Sequence, residues 1–210
     1  MIYESVESDQ LIRQGDIFQN IPRLEISLSE IPIIDDEGTR ITTWKDLVDN
    51  SDEDEDVTAV VKLRPVNGIV ITQDCDAARG KDLCLALIDD FVQVTGQNPQ
   101  NPRNWAKLIA KHAKANLRYF YLPADESFGL PKPKAADFRT ILRVPREDIL
   151  DKGAVRVGRL NQVAYEHLRE TLAQFYRRYP YNEWYPLDKD QASAYAEGCP
   201  EPVKLYDWQK

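Results

Sequence analysis

The residues best suited to chemistry stand close together: Asp74, Cys75 and Asp76 close an apolar run, Gly68-Ile69-Val70-Ile71-Thr72-Gln73, and Arg79 follows three positions later. A buried strand ending in polar side chains can hold them rigidly while leaving them accessible. Three chemistries use these residue types. In metal-independent RNA cleavage, Asp74 or Asp76 would be the general base, and Arg79 or Arg139 would stabilise the transition-state charge. In a hydrolase, Cys75 would be the nucleophile, activated by His112 or His167 and oriented by an aspartate, although flanking carboxylates disfavour a thiolate. In a magnesium site, Asp74, Asp76 and Asp82 would supply oxygen ligands. The plain alternative is that the aspartates satisfy backbone donors in a tight turn.

A second set has the composition of a phosphate-binding face. Arg103, Lys107, Lys111, Lys114 and Arg118 recur at three- and four-residue steps, while Trp105, Leu108, Ile109 and His112 share another face. This spacing predicts a basic amphipathic helix over residues 103–116, inside an insertion spanning 98–118. Tyr119 and Tyr121 follow it and could stack bases. The 210-residue chain has a net charge of −8, which by itself opposes nucleic-acid binding. Its distribution changes that inference. Residues 35–56 hold ten acids against Arg40 and Lys45, a net −8, whereas residues 101–147 hold ten bases and four acids. The acidic block predicts a mobile loop with a short helical turn near Trp44.

The elements that must position these residues follow from periodicity. Residues 21–34 alternate Leu24, Ile26 and Leu28 with Arg23, Glu25 and Ser27, which predicts a half-buried strand. Strands are also predicted over 57–63, 68–72, 83–94, 119–122 and 136–144, with 68–72 central. Asn161 reads as the N-cap of a helix carrying Ala164, Leu168, Leu172, Phe175 and Tyr179 on one stripe. Residues 1–180 read as one domain, and the proline- and tyrosine-rich 181–210 as an extended tail. With 42% apolar residues, ten Tyr and four Trp, the chain is expected to bury a proper core. Cys75, Cys84 and Cys199 are odd in number and lack zinc spacing, which points to a reducing, cytoplasmic setting with no cofactor. No apolar run approaches the roughly 18 residues of a membrane span.

Several fragments resemble the PemK/MazF toxin family of small SH3-like barrels, many of which are endoribonucleases in toxin–antitoxin and defence systems. They are Gly15-Asp16-Ile17, Arg64-Pro65 ahead of residues 68–72, Asp137-Phe138-Arg139-Thr140-Ile141-Leu142-Arg143-Val144, and Arg156-Val157-Gly158-Arg159-Leu160. Thr72-Gln73-Asp74-Cys75-Asp76 is also similar to a strand end in uncharacterised bacterial proteins. The family's ribonucleases pair an arginine at the start of the central strand with a Ser or Thr on the next. Arg64 stands about two residues too far from its strand, and Leu83-Cys84-Leu85-Ala86-Leu87-Ile88 offers no hydroxyl. The resemblance therefore implies the fold more strongly than the cleavage.

The expectation is an α+β protein on a small, strongly bent SH3-like barrel with a helical insertion and a C-terminal helix. Its expected function is toxin-like or defence-associated RNA binding, extending to metal-independent endoribonuclease activity. The alternative is a catalytically silent adaptor on the same fold, with Cys75-dependent hydrolysis behind both. Expected partners are RNA and a protein, an antitoxin or a defence effector. A homodimer stays open, and no membrane is involved.

Overall fold

The apolar stretch leading to Asp74 ends the central strand of the main sheet. The computed structural model describes residues 2–35, 38–50, 56–98, 101–115, 117–151, 153–177, 190, 193–194 and 197, with backbone only at 35, 112–115, 150 and 151. Strand β5 (Lys62–Val70) lies antiparallel between β2 (Asp16–Glu25) and β6 (Asp82–Asp90). With β1 (Tyr3–Glu4), β7 (Tyr119–Leu122), β8 (Lys134–Pro145) and β9 (Val155–Leu160) it builds a sheet in the order β1-β9-β2-β5-β6-β8-β7. Gly68 marks the tightest packing on this strand. A Cβ there would fall 2.9 Å from Ile21 Cδ1 and 3.1 Å from Leu85 Cβ.

Helices cover the sheet where its apolar residues need covering. Helix α2 (Asp74–Arg79) contributes Ala77, and α5 (Arg146–Asp151) contributes Ile149, to a cluster with Phe18, Ile21, Val70, Leu83 and Leu85. Helix α3 (Phe91–Thr95) and α4 (Pro102–Ala115) supply Phe91 and Leu108 to a second cluster around Ala135. Helix α6 (Gln162–Tyr176) buries Ala164, Tyr165, Leu168 and Leu172. It begins at Asn161, whose Oδ1 accepts from the Ala164 amide at 3.0 Å, the predicted cap. A two-stranded sheet of β3 (Ile31–Asp35) and β4 (Gly38–Thr42), with α1 (Trp44–Asn50), has its own small core of Ile31, Ile33 and Leu47.

The chain divides into two units, Met1–Leu172 and Ala173–Lys210. In the second, Phe175 and Tyr176 meet edge to face at 5.1 Å. The expected tail over 181–210, and Tyr179 of the predicted stripe, lie outside the described residues apart from 190, 193–194 and 197.

The α+β class holds, with an antiparallel sheet and several helices. Among the described strands no ladder joins β1 to β7, so the sheet is not seen to close. Four local expectations need correction. The strand predicted over 21–34 breaks after Glu25, and Ser27 and Ser29 hydrogen-bond each other in the gap at 3.1 Å. The predicted acidic loop contains the strand β4, while its expected helical turn near Trp44 is α1; Thr43 and Asp46 cap α1, the hydroxyl donating to Asp46 Oδ2 at 2.7 Å and accepting from its amide at 3.1 Å. The run over 83–94 is strand only to Asp90, because α3 follows and ends at Gly96 with φ of 67°. The polar stretch after residue 72 is a helix, α2, in place of a tight turn.

Candidate functional site

Asp74 serves the fold through both carboxylate oxygens. Its Oδ1 accepts from the Gln14 amide at 2.8 Å and its Oδ2 from the Tyr165 hydroxyl at 2.5 Å. Gln14 donates through Nε2 to the Ile71 carbonyl at 2.6 Å, so strand end, N-terminal loop and α6 are tied at one point. Burial foremost, and then the Asp74 carboxylate, push the Tyr165 hydroxyl above its ordinary pKa. The guanidinium carbons of Arg13 and Arg169 each lie 5.3 Å from the Tyr165 ring centre. Asp74, Cys75, Asp76 and Arg79 are all exposed.

The other chemistries are not assembled here. Asp82 is engaged by Arg143, at 2.5 Å from Nη2 and 3.1 Å from Nε, and no group of three metal-ligating side chains gathers among the described residues. His167 is exposed and stands two residues beyond Tyr165, about 200° around the helix from the side chain that meets Asp74. The His112 side chain lies outside the described ones.

The aspartates of the family-like fragments are likewise occupied. Asp16, fully buried, accepts from Arg159 Nε at 2.9 Å, Arg159 Nη2 at 3.1 Å, Arg156 Nη1 at 3.2 Å and the Arg13 amide at 3.2 Å. Burial raises its pKa, and the two arginines oppose that rise. Arg156 also donates to the carbonyls of Glu7 and Gln10, and Arg159 to that of Leu11, so the network clamps the N-terminal segment onto β9. Asp137 accepts from Arg118 through both oxygens, at 2.8 and 2.5 Å, and from the Arg139 amide at 3.0 Å. Thr140 donates to the same carboxylate at 3.3 Å, bracing the irregular stretch of β8.

The basic residues split into two groups. Arg103, Lys107 and Lys111 are exposed on α4, and Lys107 and Lys111 line a cleft of about 510 Å³ with Gln97, Asn98 and Asn104. The Lys114 side chain lies outside the described ones. Arg118, by contrast, is held by Asp137 and sits 4.5 Å from the Tyr119 ring centre. Tyr121 packs edge-on against Phe91 at 5.0 Å. The length of β6 separates α2, before its first residue, from α3 and α4 beyond its last, whereas Arg118 and Asp137 fall opposite its middle, because Asp137 pairs with Leu87. The exposed Arg139 lies in the irregular stretch of β8 between Asp137 and Ile141, opposite the middle of β6.

The third region escaped sequence reasoning. A groove of about 800 Å³ is walled by the end of β2, residues 26–32, Ile41, Trp44 and residues 57–62. Main-chain bonds fix its walls: Trp44 donates to the Leu28 carbonyl at 2.8 Å, Ile34 to Thr58 at 2.9 Å and Val60 to Pro32 at 2.8 Å. Leu24, Ile26 and Leu28, predicted to face the core, are 57%, 64% and 62% exposed. Eleven of the sixteen large apolar side chains exposed among the described residues fall within positions 24–63. Single exposed aliphatics are ordinary, whereas a concentration of them is not. Alternation announces one apolar face on a strand but not what covers it.

Among the described residues no helix is long and apolar enough to cross a membrane. Comparison of the sequence with protein-family models and with curated proteins finds no match, so the PemK/MazF resemblance rests on the residues already quoted.

Proposed function

We propose that this chain is a protein-interaction module, an adaptor without catalytic residues of its own, whose working surface is the apolar groove of positions 24–63. One observation carries this reading: eight of the sixteen exposed large apolar side chains among the described residues line that groove, while Asp74, the best-placed general base, is committed to Gln14 and Tyr165. Fully burying a large apolar side chain gains about 1.5–3 kcal/mol, so a partner covering several of these gains much by docking. The resemblance to PemK/MazF proteins supplies the setting, a toxin–antitoxin or defence system, and the finer fold, a strongly bent SH3-like barrel. The register shifts between Phe18 and Ile21 and between Ala86 and Leu87 favour such bending.

The test is gel filtration of the chain with the product of its neighbouring gene. Supporting the proposal would be a complex that survives Asp76→Ala and Arg79→Ala and is lost in Ile41→Asp. An RNA cut by the wild type and spared by Asp76→Ala or Arg79→Ala would overturn it.

A second reading, RNA binding by α4, draws on the cleft beside Lys107 and Lys111. It predicts a low-salt gel shift abolished by Lys107→Glu with Lys111→Glu; an unchanged shift removes it.

A further inference from the structure

The two edges of the main sheet share no ladder among the described strands, but they meet through side chains. Tyr3 of β1, at one edge, donates its hydroxyl at 2.7 Å to the carbonyl of Pro123, which follows β7 at the other edge 120 positions on. Residues 123–130 carry the contact further. Asp125 and Leu130 fold this segment on itself, each amide donating to the other's carbonyl, at 2.7 and 3.0 Å. Asp125 Oδ1 also accepts from the Ser127 amide at 3.1 Å and hydroxyl at 2.6 Å, fixing the single turn Glu126–Phe128. Phe128 of that turn meets the opposite edge. Its ring centre lies 5.4 Å from that of Tyr3, and a Cβ on Gly158 of β9 would come within 2.8 Å of its Cε1. Gln19 of β2 adds a third tie, donating to the Gly129 carbonyl at 2.9 Å.

We infer that residues 123–130 are a latch that joins the β1 edge of the main sheet to its β7 edge, so that the two edges open together when it is released. β1 is weakly held otherwise. Its two residues pair with β9, the Asn161 amide donates to the Ile2 carbonyl at 2.8 Å, and the ion pair of Glu4 with Arg13 is partly exposed and contributes little. The latch supplies apolar contact instead, because Tyr3, Phe128 and Leu130 are all buried. Gly158 admits the ring, since a side chain there would occupy its place. β1 and β7 each have one ladder neighbour among the described strands, so an open latch frees two pairing edges at once. The latch lies in the main sheet and stands independently of the groove and of what docks there.

Hydrogen exchange with mass-spectrometric readout on the full chain tests it, comparing the wild type with Phe128→Ala, Gly158→Ala, the double variant and Tyr3→Phe. Phe128→Ala should speed exchange about tenfold or more over residues 2–4 and 119–122, with 62–70 and 82–90 unchanged. Gly158→Ala deletes no atom but displaces the ring, so it should give the same pattern. The double variant should exchange no faster than Phe128→Ala, because the added methyl then has no ring to meet. Tyr3→Phe, which deletes only the bond to Pro123, should raise exchange about threefold at both edges, and it carries the test should Phe128→Ala fail to fold. Faster exchange confined to 123–130, or at 119–122 without 2–4, would overturn the latch. So would an even rise that includes 62–70 and 82–90, or a double variant that adds the two single effects.

Discussion

The polar end of β5 and the apolar groove of positions 24–63 are built on opposite plans. At the first, side chains with reactive chemistry have internal partners: Asp74 holds Gln14 and Tyr165, and nearby Asp16 holds Arg156 and Arg159. At the second, side chains with no chemistry lack internal partners, and a three-residue core of Ile31, Ile33 and Leu47 supports a much larger apolar surface. The difference shows that residue type alone does not locate function. A carboxylate already bonded to two or three donors is part of the frame, whereas an exposed Trp beside exposed aliphatics is not accounted for by the fold.

If this contrast is right, substitutions in the polar region change stability and those in the groove change binding. The largest effect is expected from Asp16→Ala, which leaves two arginines without their buried counter-charge; urea unfolding should show a loss of about 3–5 kcal/mol. Asp74→Ala removes the acceptor for one amide and one buried hydroxyl and should lose about 1–3 kcal/mol, against a change within about 0.5 kcal/mol for Asp76→Ala. A loss as large for Asp76 as for Asp74 would break the contrast within α2 itself.

Alkaline pH sharpens it further. Tyr165 is pushed up by burial and by Asp74, so its proton is held more firmly in the folded chain than in the unfolded one. Its contribution is complete below about pH 10 and is lost as pH climbs through the folded value. Tyr165→Phe should therefore lose less stability than the wild type above that pH in parallel urea titrations; an identical alkaline slope would contradict the assignment. The smallest effect belongs to the groove: Ile41→Asp and Trp44→Ala should shift unfolding by no more than about 0.5 kcal/mol while abolishing partner binding.

Much of the frame was legible in the sequence. The run before Asp74 reads as a central buried strand, and β5 is central but ends at Val70; the Asn161 cap and the amphipathic α4 are where their residues place them. Legibility failed where one pattern serves two environments. Leu24, Ile26 and Leu28 alternate as a core-facing strand does, but they face solvent, because period-two spacing does not say what covers the apolar row. The run over 83–94 hides a strand-to-helix change at Asp90, since short apolar stretches suit both. The charge count of residues 35–56 concealed a strand, β4, while the helical turn expected near Trp44 is α1, capped by Thr43. The commitment of Asp74 to Tyr165, 91 residues away, depends on tertiary structure that no local motif encodes.

The most direct test of the central claim is hydrogen exchange with mass-spectrometric readout on the chain alone and in complex with its partner. Protection on binding should appear over residues 24–34, 39–48 and 57–62, with residues 72–79 unchanged. Protection confined to 72–79, with the groove still exchanging freely, would contradict it.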